Sequence, residues 1–204
     1  MITAQEALDR LKQGNQEFTS GIADRNALMA PARRAELTKG QAPFATILAC
    51  SDSRVPTEIV FNQGFGDLFV IRVAGNIVAA SQIGSVEYAA AYLGARLVVV
   101  MGHTQCGAIA ATLAELQQPV ENQSPNLLSL VDFIRPSVAA LLETDLRHNP
   151  EALAAQAIRA NVWVSVDHLR HGSQILENLV QSKGLRVVGA EYSLETGRVE
   201  FFEE

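Results

Sequence analysis

Cysteine is scarce in this chain: 204 residues carry two, Cys50 and Cys106, alongside four histidines. No further thiolate exists to close a structural zinc site. A disulfide between the two is disfavoured because no export signal opens the sequence, and disulfides are rare in the cytosol. No charged n-region with an apolar h-region is present, and no run approaches a continuous membrane-spanning length, so a soluble, cytoplasmic protein is expected. Basic charge is short as well. Sixteen Lys and Arg against 22 Asp and Glu leave a net charge of -6, which gives no reason to expect nucleic acid or a membrane as partner. Gly64-Phe65-Gly66 lacks the third glycine and the following helix of a dinucleotide loop. Repeats, low-complexity tracts and an internal boundary are all missing, so residues 1–204 read as a single domain with ample length for a core. Charged residues are only 19% of the chain and hydrophobic ones 48%, with a mean hydropathy of +0.12. That balance points to an oligomer burying surface between subunits.

What the chain does have is concentrated in two places. Cys50-Ser51-Asp52-Ser53-Arg54 follows the apolar run Phe44 to Ala49, and His103-Thr104-Gln105-Cys106 follows Leu97 to Met101. Such runs read as buried parallel strands, and ligand sites form at the carboxyl ends of strands in an open α/β sheet. Both cysteines and one histidine would thus converge on one crevice. Two thiolates and an imidazole make a soft zinc site, and three protein ligands leave the fourth position open, as catalytic zinc requires. Asp52 has two available partners. It could be a fourth ligand, or Arg54 could hold it off the metal as a bidentate partner. A cysteine buried merely as a small hydrophobe is the commoner fate of that residue. The clustering of Cys50 with Asp52, Arg54, His103 and Cys106 argues against it here.

The remaining pattern predicts an α/β fold: a mostly parallel central sheet with an antiparallel edge strand and helices on both faces. Thr3 caps a helix through Phe18, with Gly14 as its weak point. Residues 1–40 are read as a helical arm ahead of an α/β core at 41–204. Further helices are predicted from Pro31 to Thr38, at 56–61, 81–93, 106–116, 126–142 (kinked at Pro136), 150–169 and 173–182. Strands are predicted at 68–73, 185–191 and 198–202. A thiolate at Cys106 would sit at a helix start, where the dipole favours its ionised form, and Gly107 would let backbone come close to the metal's ligand. His148, His168 and His171 lie in polar surroundings and read as surface residues.

The two clusters, CSDSR-VP and GHTQCGA, resemble the zinc motif pair of the β-class carbonic anhydrases. Glu6-Ala7-Leu8 through Phe18 and the block Gly66 to Asn76 are similar to that family's N-terminal helix and central block. The resemblance covers nearly the whole chain. It implies one Zn2+ per subunit on Cys50, His103 and Cys106, and reversible hydration of carbon dioxide to bicarbonate by hydroxide on zinc, a lyase reaction. It implies Asp52, kept ionised by Arg54, orienting that hydroxide. From the plant-like branch it implies Gln41 as an amide donor to substrate oxygen, and Phe69 and Tyr88 as pocket aromatics contributed across a dimer interface. It also implies the N-terminal helix lying across a partner, in a homodimer or homotetramer. Another branch of the family closes its zinc with the aspartate and binds bicarbonate in a second pocket, built on a tryptophan three residues before the first cysteine and a glycine directly before it. Here those positions are Ile47 and Ala49, so an open site with Asp52 on Arg54 is expected. Moving Asp52 to the metal would also strand a partly buried guanidinium. Two alternatives remain at this point: a hydrolase of carbon disulfide or carbonyl sulfide on the same scaffold, and a non-catalytic zinc-binding module.

Overall fold

The computed structural model describes residues 2–22, 31–119 and 123–202. Five strands form one sheet: β1 (Ala45–Ala49), β2 (Leu68–Arg72), β3 (Leu97–His103), β4 (Arg186–Tyr192) and β5 (Val199–Phe202). Their order is β2-β1-β3-β4-β5; the first three pairings are parallel, and β4 with β5 is antiparallel. Among the described residues the α-helices are α1 (Ala4–Ser20), α2 (Pro31–Glu36), α3 (Thr57–Val60), α4 (Ala80–Ala91), α5 (Gly107–Gln117), α6 (Pro125–Val138), α7 (Pro150–His171) and α8 (Gln174–Lys183). The predicted architecture is the observed one.

Every residue of β1 and β3 is buried, as expected of strands covered on both faces. Alternate residues feed two cores. Ala45, Ile47 and Ala49 pack with α1 and Phe61, while Leu48, Val98 and Val100 pack with α4, α7 and α8. A third cluster gathers at the carboxyl ends of the strands, where Cys50 and Cys106 join Ile109, Ile134, Val138 and Ile158 from α5, α6 and α7. The candidate ligands therefore sit on a packed floor.

α1 packs on its own domain and corrects the expectation for Gly14. Thr3 caps it in a full capping box with Glu6. Its apolar stripe, however, is spent on its own subunit: Ala7, Leu8 and Leu11 are buried in the core, and Asn15 donates to the carbonyls of Val60 (3.1 Å) and Gly197 (2.9 Å). It forms a wall of this domain. Gly14 is no weak point either, because a Cβ there would lie 1.9 Å from the Phe61 carbonyl oxygen. The backbone of α1 rests directly on that of Phe61, and only glycine permits the approach. Gly14→Ala is expected to cost about 3 kcal/mol or more, read as a lowered urea midpoint at unchanged slope.

Smaller differences are local. The predicted helix at 31–38 is α2 followed by a 3-10 turn, Leu37–Lys39, and none of its residues is buried. Past Pro136 the helix tightens into 3-10 turns at Ala139–Glu143 and Asp145–His148, which the residue pattern did not announce. The stretch Pro125–Glu143 has the length and hydropathy (1.2) of a membrane-crossing helix, contrary to expectation. It places Ile134 and Val138 in the third core cluster, with Leu130, Leu141 and Leu142 packed against it. His148, His168 and His171 are exposed, as expected.

Candidate metal centre

β1 and β3 lie side by side with Ala49 opposite Met101, so Cys50 and His103 emerge from neighbouring strand ends. His103 is the last residue of β3, and Cys106 sits at the cap position of α5. Gln105 between them takes a left-handed conformation (φ 57°), which folds the turn tightly enough to bring the thiol back beside the imidazole. The two sulfurs and a ring nitrogen all lie within 4.8 Å of one another, and all three residues are buried. Both cysteines are free.

Three observations test whether zinc fits. The first is the imidazole. His103 Nδ1 lies 2.9 Å from the Thr104 carbonyl oxygen, so it carries the proton and donates there. Nε2 is then a lone-pair acceptor, fully buried and without a hydrogen-bond partner. A buried orphan of this kind is costly unless something occupies it. The second is the sulfurs. Cys50 Sγ receives the Gly75 N–H at 3.4 Å and the Asp52 N–H, while the Ala108 and Ile109 N–H groups of the first turn of α5 address Cys106. Amide donors on both sulfurs suit thiolates. The third is the field. The Cys106 thiol holds the Cys50 pKa down, and the Cys50 thiolate pushes that of Cys106 well up, so that two adjacent negative charges are disfavoured without a cation. Burial opposes charge on His103, yet its contacts with Cys50, Thr104 and Asp52 raise its pKa nonetheless. A dication between the two sulfurs would let both ionise. The donor set fits zinc, with Cys50, His103 and Cys106 as its ligands.

Asp52 stands at the edge of this triad, its Oδ2 3.8 Å from His103 Nε2. Arg54 grips it at both oxygens: Nε to Oδ1 at 2.9 Å and Nη2 to Oδ2 at 2.7 Å, with the Arg54 backbone N–H also on Oδ1 at 2.9 Å. The side-chain hydrogen bonds from Arg54 hold the carboxyl well below the usual carboxylate range. The same guanidinium reaches the Gln105 carbonyl at 3.3 Å, tying the two ligand loops together. Arg54 is about half exposed (51%), so the number of bonds more than burial keeps the pair together.

Arg72 supports the first ligand loop and Thr104 the second. Arg72, at the end of β2, donates from Nε to the Cys50 carbonyl (3.0 Å) and from Nη2 to the Asp52 carbonyl. From β3's side, Thr104 accepts the Leu194 N–H and donates its own N–H to Tyr192. Ile47 and Ala49 are fully buried in β1.

The predicted pocket residues fall elsewhere on this one chain. Phe69 on β2 and Tyr88 on α4 meet with ring centroids 6.1 Å apart, and Tyr92 stacks on Tyr88 at 5.6 Å. Gln41 lines a shallow cavity of about 450 Å³ with Arg34, Leu37 and Phe65. No described hydrogen bond or ring contact joins Gln41, Phe69 or Tyr88 to the triad. A Cβ at Gly107 would meet nothing within 4 Å, so that position is open on its outer side.

With this geometry in place, the relatives are informative. A family profile described as carbonic anhydrase matches residues 45–199. A carbonic anhydrase of Mycolicibacterium smegmatis is 36% identical over 190 residues, covering 93% of this chain and 89% of the relative. "Carbonic anhydrase 2" of Mycobacterium tuberculosis is 34% identical over 198 residues, covering 92% and 87%. In fold, the chain resembles the β-carbonic anhydrase CafA of Aspergillus fumigatus (TM-score 0.76, 23% identity, 93% and 87% covered). It also resembles two tetrameric β-carbonic anhydrases of Sordaria macrospora (TM-score 0.73, 24% identity, 94% of each chain). A sheet whose strand ends present two cysteines and a histidine defines a zinc-site α/β protein. The chain belongs to the carbonic anhydrase family and has the fold of its β-class members.

Proposed function

We propose that this protein catalyses the reversible hydration of carbon dioxide to bicarbonate and a proton, as a zinc-dependent lyase. The observation that carries the reading is the buried, unpartnered Nε2 of His103 facing two amide-supported sulfurs, with an ionised carboxylate 3.8 Å away. Zinc bound there supplies a Lewis acid that brings the pKa of a water at its fourth position toward neutrality. The chain's own residues do the rest. Asp52, ionised and clamped by Arg54, accepts a hydrogen bond from the attacking oxygen and so directs its lone pair at the carbon. Arg54 is a positioning residue: its fork fixes both carboxylate oxygens and through Gln105 keeps the second ligand loop in place. Ile77, Ile109 and Val73 in the third cluster provide the apolar floor on which a non-polar gas can rest. Turnover on carbon dioxide, carbonyl sulfide and carbon disulfide, compared on the zinc-loaded protein, tests the reading. Carbon dioxide is expected to be by far the best substrate; a higher kcat/KM on either sulfur gas would overturn it, and no turnover with zinc in place would make it a binding module.

The active unit we propose is at least a homodimer in the cytoplasm. β2 is an edge strand, and beside it run the rings of Phe69, Tyr88 and Tyr92, the last two 47% and 81% exposed. Covering those rings with a second copy would remove an apolar patch from water and would bring Gln41, Phe69 and Tyr88 to a neighbouring zinc site. Gly107, open on its outer side, leaves room for substrate next to Cys106. Sedimentation at assay concentration should show no active monomer; an active monomer would contradict the shared pocket.

A further inference from the structure

Behind the first ligand loop, the chain turns through Ala74-Gly75-Asn76, and this turn is unusual in having two consecutive left-handed residues, Gly75 (φ 70°) and Asn76 (φ 43°). Asparagine tolerates that conformation at some cost, and such a turn persists only when its surroundings over-determine it. Its front edge is the Gly75 N–H that addresses Cys50 Sγ at 3.4 Å. Its back edge is gripped by α7. Asn161 Nδ2 donates to the Gly75 carbonyl at 2.7 Å, and Ser165 Oγ donates to the Asn76 carbonyl at 3.1 Å. The two side chains are four residues apart and so share one face of the helix.

Asn161 is itself fixed. Its Oδ1 lies 3.3 Å from Ser137 Oγ, whose one proton it shares with the Ile134 carbonyl on α6, the shorter contact at 2.6 Å. Asn161, Ser165 and Ser137 are all buried. The close approach of α7 that makes this possible is built into two glycines. A Cβ at Gly102, directly before His103, would come within 2.7 Å of Val162, and one at Gly75 within 2.7 Å of Ile134. α7 thus presses on the strand that carries His103 and α6 on the turn that faces Cys50, and a line of polar contacts runs from Ser137 through Asn161 and Gly75 to the sulfur of Cys50.

We propose that Asn161 is a positioning residue for the zinc thiolate: by anchoring the Gly75 carbonyl it aims the Gly75 N–H at Cys50 and so tunes the sulfur as a donor. A thiolate that accepts an amide N–H gives up less electron density to the metal, and partners one bond beyond the ligands alter metal affinity by about 10- to 100-fold when removed. Burying three polar side chains has a desolvation cost that hydrophobic residues would avoid, and the turn they hold has the sulfur as its front contact. The inference rests on the zinc reading above.

The test uses Asn161→Leu, which keeps the volume and deletes the donor, in the full chain loaded with cobalt as a spectroscopic stand-in for zinc. Losing the N–H contact raises the energy of the sulfur lone pairs, so the sulfur-to-cobalt charge-transfer band should move to longer wavelength. Zinc release to a chelator should change by roughly 10-fold or more. Ser137→Ala, a milder change, should shift both readouts in the same direction by less, and serves if Asn161→Leu does not fold. Gly14→Ala, which strains the fold far from this turn, shows what lost stability alone does and should leave the band in place. If the Asn161 and Ser137 variants match the wild-type band and release rate while melting earlier, Asn161 only holds the fold and the inference falls. If the wild-type protein takes up neither metal, the zinc reading fails first.

Discussion

Cys106→Ser is expected to emerge from purification with most of its zinc gone and its carbon dioxide hydration reduced by at least about a thousandfold. The serine hydroxyl is a poor ligand at neutral pH because, unlike a thiol brought up to a zinc ion, it does not give up its proton there. The loss also strands its partners. Cys50 and His103 alone leave two ligands where zinc needs three from the protein, and the described residues place no other cysteine or histidine at this crevice. His148, His168 and His171 are on the surface and cannot substitute. Metal analysis of the dialysed variant checks the first part and stopped-flow hydration the second. A fully loaded Cys106→Ser protein would mean that the ligands have been misassigned.

The second large effect is expected at Asp52. Asp52→Asn should keep its zinc, because the residue pairs with Arg54 and is not a ligand, yet lose about 10²- to 10³-fold in kcat. The amide offers one acceptor oxygen where the carboxylate offers two, and its NH2 would point a donor at a guanidinium or at the attacking oxygen. The three bonds that Arg54 now makes to the two oxygens cannot all survive that change. Arg54→Lys should sit between wild type and Asp52→Asn, since a lysine keeps the charge but not the fork. Should Asp52→Asn lose zinc in proportion to activity, Asp52 would be a ligand and the open site would be wrong. KM is expected to move little in both variants, because the bonds in question orient the nucleophile and do not hold the substrate.

How far these features could be read from residues alone depends on the distance over which they form. The strands before each motif were legible because Ala45 to Ala49 and Leu97 to Met101 are, Thr46 apart, apolar throughout, the pattern of a strand covered on both faces, and every one of these residues is buried. The Asp52–Arg54 pair was legible because its partners are two residues apart on one loop. Gly14 was misread for the opposite reason. A glycine inside a helix looks like a defect until the carbonyl of Phe61, 47 positions later, is found against it. The amphipathic stripe of α1 announced a buried face but not whose core would bury it; Asn15 settles that through bonds to Val60, Gly197 and Val199. Arg72 and Asn161 carried no local signal either. Arginine ending a strand and asparagine inside a helix are ordinary, and their role exists only because the fold carries them to carbonyls 22 and 86 residues away.

Gln41, Phe69 and Tyr88 show the limit from the other side. Their offsets from the motifs matched a pattern, but within one subunit the sheet carries them away from the triad, to an edge that a second copy can cover. Whether they act is a question about the assembly, and sedimentation with activity in the same sample answers it.

The central claim is that three side chains hold a zinc whose fourth position is left open because Arg54 keeps Asp52 away from it. A crystal structure of the zinc-loaded protein near neutral pH tests it most directly. The account predicts zinc on Cys50, His103 and Cys106, with both Asp52 oxygens still on Arg54 and a non-protein oxygen or small anion completing the metal. An Asp52 oxygen at about 2.0 Å from zinc, an ordinary carboxylate bond length, would contradict it.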